Sequence, residues 1–503
     1  ENAAAVAGIV FHLEGLPLAI ELAAARVKLL TPQAMLPRLA KGLDLLASSA
    51  PDRTSRQRTL RGAIAWSYDL LDEGMRRLFA RCAVFVAGAQ LEQLEQVCGP
   101  ASAIGREVLD GLSELVDQSL LRQSDVAGEP RFRMLVTIRD FALEKLTETA
   151  ELDDLLRRHC AAYLAIAERA APALQGTEQK RWLDLLEVEH DNLRAALEYA
   201  ISAGLTDESS RLVFALWRFW QPRGHLREAR VWTERVLELN GATPSQRLRA
   251  LEAAGGVAYW LADEPATRRS YREAYELAEA SGTPADKAEA AYNYSFTFFI
   301  RADGATRDEV TGDAMLRQSL EAFRGLGDRG GVARAAWALG ALHTQGPTRT
   351  REELISAMGY VEEALAAHRV MGNRFAMGWD LHELGLAALK LGDPAGAVAR
   401  WRESLALFEE ASDSSGIVIM LSNMAAAAKE RGDLERHATL IGAQTTVIAQ
   451  TGVELANIIQ REEGRAVATD IEPKHRAALE RGLAMTRDQA VAYALQPEAA
   501  KTA

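Results

Sequence analysis

LHELGLAALKLGDPAGAVARWRESLALFEE, the stretch from Leu381 to Glu410, sets small and bulky residues at helical spacing. Its anchors are Leu384-Gly385, Ala388, Gly392-Asp393, Ala397, Trp401 and Ser404-Leu405. Gly385, Ala397 and Ser404 are small, and larger apolar residues fall between them. The pattern predicts two antiparallel helices packed closely across the Gly392-Asp393 turn. A small residue on each helix lets the backbones approach, and a bulky one fills the groove that remains.

The pattern recurs along the chain. A step of 45 residues back from Leu384-Gly385 reaches Leu339-Gly340, and another 45 reaches Tyr294-Ser295. On the second helices, Ala364, Ser319 and Ala274 keep the same step. So do the turns Gly372-Asn373, Gly327-Asp328 and Gly282-Thr283, while Gly432-Asp433 lies 40 residues beyond Gly392-Asp393. Five units are therefore expected over 248–451, stacked as a helical solenoid. Each resembles the tetratricopeptide repeat (TPR), lengthened beyond the ~34 residues of that motif. Gly346 to Arg351 reads as a loop inserted in the third pair.

The 503 residues are 48% hydrophobic and 25% charged, an ordinary globular balance with length for several domains. A net charge of -12 disfavours general binding to polyanions. Cys82, Cys98 and Cys160 are odd in number and lack zinc-ligand spacing, which suits a reducing, cytoplasmic setting. No apolar run reaches the ~18 residues of a membrane helix, so no membrane partner is expected. No signal peptide is visible, and the chain opens on Glu1 in what reads as mid-helix, as a piece of a longer protein would.

Residues 1–47 read as a helical domain interrupted at Gly15-Leu16-Pro17-Leu18. Thr31-Pro32 is an N-cap followed by proline at the first helical position. A polar linker begins at Ser48. Residues 57–150 read as helices, then two extended runs flanking Asp125 to Pro130, then a closing helix, which together describe a winged-helix domain. Residues 151–247 read as irregular helix pairs opening the solenoid, with helices at 152–170, 179–203, 209–220 and 226–239. Residues 452–503 read as further helices, at 458–468, 474–483 and 488–495, and a tail.

Four stretches, in this order, resemble the NB-ARC-type signal-transduction ATPases with numerous domains (the STAND class). GLPLAIELAAAR, Gly15 to Arg26, is similar to the GLPL motif of the helical domain that follows the nucleotide-binding core. QRTLRGAIAWSYDLL, Gln57 to Leu71, is similar to the opening of the winged helix. LVDQSLL, Leu115 to Leu121, and FRMLVTIRDFALEKL, Phe132 to Leu146, are similar to its end. EVEHDNLRAAL, Glu187 to Leu197, is similar to the start of the TPR-like arm in bacterial regulators of this class. The resemblance implies that Pro17 contacts the adenine of a bound nucleotide. A rigid turn without an N–H can offer a flat apolar surface to a base; the alternative is that Pro17 merely sets the turn between two helices. No G-x-x-x-x-G-K-[ST] occurs, so no cofactor and no ATP hydrolysis are expected in this chain. ATP or ADP would sit in a nucleotide-binding core upstream, in a longer parent. Where eukaryotic members carry Met-His-Asp, this chain has Met134-Leu135-Val136, which cannot make the histidine's contact to ADP.

In a TPR array the first helix of each pair lines the concave face. That spacing selects Arg249, Glu252, Tyr259 and Trp260 from the first unit and Glu289, Tyr292, Phe296 and Phe299 from the second. Arg334 and Trp337, Trp379 and His382, and Lys429 follow from the others. Aromatic residues and arginine dominate binding hot spots, so a protein, peptide or small-molecule signal is the expected partner. Phe296 and Phe299 can equally be buried between helices. Direct DNA contact by the winged helix is disfavoured, because residues 51–150 hold 13 Lys/Arg against 15 Asp/Glu. Arg131, Arg133 and Arg139 are its candidate phosphate contacts. His159, His190, His225 and His437 stand singly, no catalytic or metal-binding constellation is present, and Trp217, Trp220 and Trp232 read as the core of a helix pair.

The expected fold is all-α with one hairpin: a helical domain plus a winged-helix domain, followed by a TPR-like α-solenoid. The expected function is the sensor portion of a STAND-type regulator, coupling a signal on the arm to the absent core. The alternatives are a stand-alone TPR scaffold and a DNA-binding transcriptional repressor acting through the winged helix.

Overall fold

The computed structural model describes residues 2–12, 20, 23–24, 27, 30–39, 60–126, 128–298, 308–345, 349–451 and 468–496. Pro17, the linker, Phe299 and all but the last residue of the helix expected at 458–468 lie outside them. Contacts divide the chain into two units: residues 1–165 with 189–200, and residues 166–188 with 201–503. Among the described residues no helix is long and apolar enough to cross a membrane.

In the first unit, α1 (Ala3–His12) packs on α2 (Pro32–Leu39). The winged part runs α3 (Leu60–Asp69), α4 (Glu73–Arg81), β1 (Ala89–Gln90), α5 (Leu91–Cys98), α6 (Ala101–Ile104), α7 (Val108–Asp117), β2 (Arg122–Val126), β3 (Glu129–Arg133) and α8 (Val136–Thr147). Met75, Leu78 and Phe79 on α4 bury against Leu112 and Leu115 of α7 and Phe141 of α8. The hairpin is tighter than its sequence suggests. Val126 pairs with Glu129; Gly128 takes φ +85° and donates to Asp125 Oδ1 at 2.9 Å. The two-residue β1 adds to the free edge of β3, Ala89 opposite Phe132, and is too short to show a period in sequence.

After α9 (Leu152–Ala173) come α10 (Gln179–Val188) and α11 (His190–Ser202), two helices where one was expected over 179–203. The break falls at Glu189, whose side chain is 1% exposed and turned into the first unit against Arg131. Satisfying that carboxylate outweighs continuing the helix.

The second unit continues with α12 (Thr206–Arg223) and α13 (Leu226–Leu237). Five antiparallel pairs follow: α14 (Pro244–Trp260) with α15 (Glu264–Ser281), α16 (Pro284–Ser295) with α17 (Glu309–Leu326), α18 (Arg329–Thr344) with α19 (Arg351–Met371), α20 (Arg374–Lys390) with α21 (Pro394–Ala411), and α22 (Ser414–Glu430) with α23 (Leu434–Thr451). Then α24 (Arg476–Leu483) lies on α23, and α25 (Arg487–Leu495) packs on α21, α22 and α23.

The Gly-Asp pairs end one helix and start the next. Gly327, Gly372 and Gly392 take left-handed φ values of +69°, +66° and +86°. The residue after each caps the following helix: Asp328 accepts from Gly331, Asn373 from Ala376 and Asp393 from Gly396. Close packing follows the small-large pattern. A Cβ on Gly385 would lie 2.2 Å from Trp401 Nε1, and one on Gly340 would lie 2.3 Å from Val361 Cγ2. Trp401 is wholly buried and donates to the His382 carbonyl at 3.1 Å; Ser404 Oγ donates to the Gly378 carbonyl at 2.7 Å. The stack curls until α10 touches α21 and α12 touches α22.

Candidate functional site

The curl of the second unit surrounds a cavity of about 200 Å³. Its wall comes mainly from α12 and from the first helices of four successive pairs, α14, α16, α18 and α20. Tyr259, Trp260, Tyr292, Phe296, Arg334, Trp337, Trp379 and His382 all line it. Phe296 serves two surroundings, since it also packs into the core with Leu339 and Leu342. Arg249 and Glu289 do not line the cavity. Arg249 pairs with Asp207 at 3.2 Å, and Glu289 stands behind Arg334. Lys429 is exposed and elsewhere.

The aromatic residues form one continuous belt. Tyr292 and Phe296 meet edge-on at 5.2 Å, Phe296 and Tyr259 at 5.6 Å, and Tyr259 and Trp260 at 5.7 Å between centroids. Trp260 of α14 then reaches Trp379 of α20 at 5.5 Å, and Trp379 meets His382 at 5.7 Å. The first and fourth pairs thus touch across the cavity, which a solenoid with neighbour-only contacts would not allow.

Charge is concentrated where α12 faces α18. Arg334 holds Glu289 in a bidentate pair, both bonds at 2.7 Å, and lies 5.3 Å from the Tyr292 ring centroid. Against its burial, this guanidinium keeps the Glu289 carboxyl below the usual carboxylate range. Arg218 lies over the Trp217 ring at 4.3 Å. Burial, and then the like charge of Arg334, lowers its guanidinium from the ordinary value. Burial and the nearby Glu289 push the half-buried Glu252 up to about 8.

On the α20 wall, His368 Nδ1 lies 2.8 Å from Asp380 Oδ2, and burial raises that carboxyl. Glu383 accepts from Gln345 at 2.9 Å, leaving its second oxygen unpartnered. Sequence reasoning missed Trp217, Arg218 and His368 as wall residues. Trp217 and Arg218 sit on α12, outside the 45-residue register that selected the rest. Of the three tryptophans read as core, Trp220 is wholly buried, Trp217 lines the cavity, and Trp232 is half-buried on Glu228 at 2.9 Å.

Two arginines of the winged part are held by protein partners. Arg131 is 5% exposed and bound to Glu189, with Nη2 donating to the Gly88 carbonyl at 2.8 Å. Tyr163 and Asn192 donate to the same Glu189 carboxylate at 3.1 and 3.0 Å. Arg139 donates to the Phe85 carbonyl at 3.0 Å. Two of the three candidate phosphate contacts are therefore committed inside the first unit, and Arg133 is exposed at its surface. The helix before the hairpin, α7, carries Asp110, Glu114 and Asp117 and no basic residue. His159, read as a lone histidine, is a core residue 4.5 Å from the Tyr163 ring, and burial lowers it to about 4.

Parts of the chain are similar to known proteins. Residues 71–147 match the family model of a winged helix-turn-helix domain. A Mycobacterium tuberculosis protein (strain H37Rv) provisionally named an HTH-type transcriptional regulator, Rv0890c, is 37% identical over 298 residues, covering 56% of this chain and 33% of that protein. An uncharacterized Mycobacterium bovis protein, Mb0918, is 36% identical over 160 residues, covering 32% of this chain and 41% of that one. The chain thus spans about a third of the length of the regulator it matches. Among solved structures, a STAND protein with a tetratricopeptide repeat sensor from Pyrococcus horikoshii aligns with TM-score 0.43 and 14% identity over 93% of this chain and 72% of that one. A Rap protein complexed with Competence and Sporulation Factor aligns with TM-score 0.43 and 13% identity over 66% and 96%.

Proposed function

We infer that this chain is the sensing part of a bacterial transcriptional regulator of the STAND type, and that it is not itself an enzyme. A protein, peptide or small-molecule signal is taken up in the solenoid and biases an on/off equilibrium in the parent. The observation that carries the reading is the aromatic cavity with a charged wall, assembled from the first helices of four successive pairs. The 37% identity to a provisionally named regulator three times its matched length supports a parent with further domains. In that parent a nucleotide-binding core lies upstream and holds ATP or ADP, and DNA is read by a region other than this winged helix. The location is cytoplasmic. For the switch to work, the signal must bind the two states with different affinity.

The test is thermal unfolding of the purified chain in the presence of a deproteinised extract of the source organism. The wild type is expected to be stabilised, and Trp337→Ala and Trp379→Ala are expected to lose that response while remaining folded. Equal stabilisation of all three removes the cavity as the signal site, and stabilisation of none removes a small molecule as the signal. A repressor acting through this winged helix would instead require a gel shift at physiological salt, which the buried Arg131 and the acidic α7 argue against.

A further inference from the structure

The cavity holds two guanidiniums, and the protein pairs one of them. Arg334 spends both terminal nitrogens on Glu289. Arg218, close enough to feel its charge, forms no ion pair among the described residues and rests on the face of Trp217. A guanidinium with no carboxylate partner among the described residues, set in an aromatic wall, marks where acceptor oxygens fit. The rest of the wall is aromatic. A volume of about 200 Å³ suits a small molecule and not a folded partner.

We propose that the cavity binds a small organic carboxylate with an aromatic or branched apolar body, its carboxylate on Arg218 and its body against Trp260, Trp379 and Phe296. This rests on the solenoid being the sensing part. Burial and the neighbouring Glu289 push the Glu252 carboxyl up, which weakens its claim on Arg218. On the α20 wall the half-used carboxylate of Glu383 is the group that a cationic ligand would seek.

Three probes of one size separate these chemistries: phenylacetate, phenylacetamide and phenethylammonium, titrated calorimetrically into the chain near neutral pH. Phenylacetate is expected to bind at least ~10-fold more tightly than the amide or the ammonium, as hydrogen bonds to charged groups imply. Arg218→Gln is expected to lose phenylacetate by roughly 10- to 100-fold, with Arg218→Lys in between. Should Arg218→Gln fail to fold, the acid-against-amide comparison on the wild type still decides. Equal binding of acid and amide, tightest binding of the ammonium, or an unaffected Arg218→Gln each overturns the proposal. If acid and amide bind equally and Trp379→Ala loses both, the carboxylate assignment falls and the sensing cavity stands. If no probe binds, the carboxylate assignment falls, and the extract experiment judges the cavity separately.

Discussion

Single residues in this chain carry opposite assignments under similar burial. Arg334 and Arg218 line one cavity, yet one is bonded at 2.7 Å to Glu289 and the other, among the described residues, meets only an aromatic face. Arg334 was legible in the sequence because the repeat register points to it. Arg218 was not, because its helix precedes the register and its neighbours Phe219 and Trp220 are core. Asp413 shows a different tension. It caps α22 by accepting from Ser415 and Gly416 at 2.9 and 3.1 Å, but it is wholly buried, and burial raises it to about 6. Its folded value lies above the unfolded one, so its contribution to stability is full below about pH 4 and is lost as pH rises through about 6. Asp413→Asn keeps a capping oxygen without the charge. It is expected to raise unfolding stability by roughly 1–3 kcal/mol at about pH 8 and to give no gain at about pH 4. Urea melts at the two pH values check this; equal gains at both would contradict it.

At the scale of elements, the Gly-Asp turns were readable because each uses residue chemistry that little else supplies: a left-handed φ, then a side-chain cap. Two turns lack the glycine. Ala262 and Ser412 hold φ of +60° and +55° ahead of the caps Asp263 and Asp413. Ala262→Gly is expected to stabilise the chain by about 1 kcal/mol, since a side chain disfavours that conformation. Gly385→Ala should do the reverse, by roughly 1–3 kcal/mol, because its Cβ meets the buried Trp401. Thermal melts of both variants test the pair; a neutral Gly385→Ala would contradict the packing. The elements that sequence reading missed were set by long-range partners. The break between α10 and α11 exists because Glu189 meets Arg131, 58 positions away. The strand β1 exists because β3 has a free edge, and neither leaves a periodic trace.

For the molecule as a whole, the repeat period made the solenoid legible but not its closure. Trp260 reaching Trp379, and α12 reaching α22, depend on how far each pair rotates on the last, a quantity absent from the anchors. That closure turns a row of concave-face candidates into a shared cavity, and an occupant touching α14 and α20 together would tie distant repeats to one another. Hydrogen–deuterium exchange of the chain with and without the extract fraction that stabilises it is the most direct measurement of this claim. Slower exchange is expected together in α12, α14, α16, α18 and α20, with α15, α17, α19 and α21 less affected and the response gone in Trp379→Ala. Protection confined to the winged helix, or to the outer helices of the pairs, would contradict the cavity as the place where the signal binds.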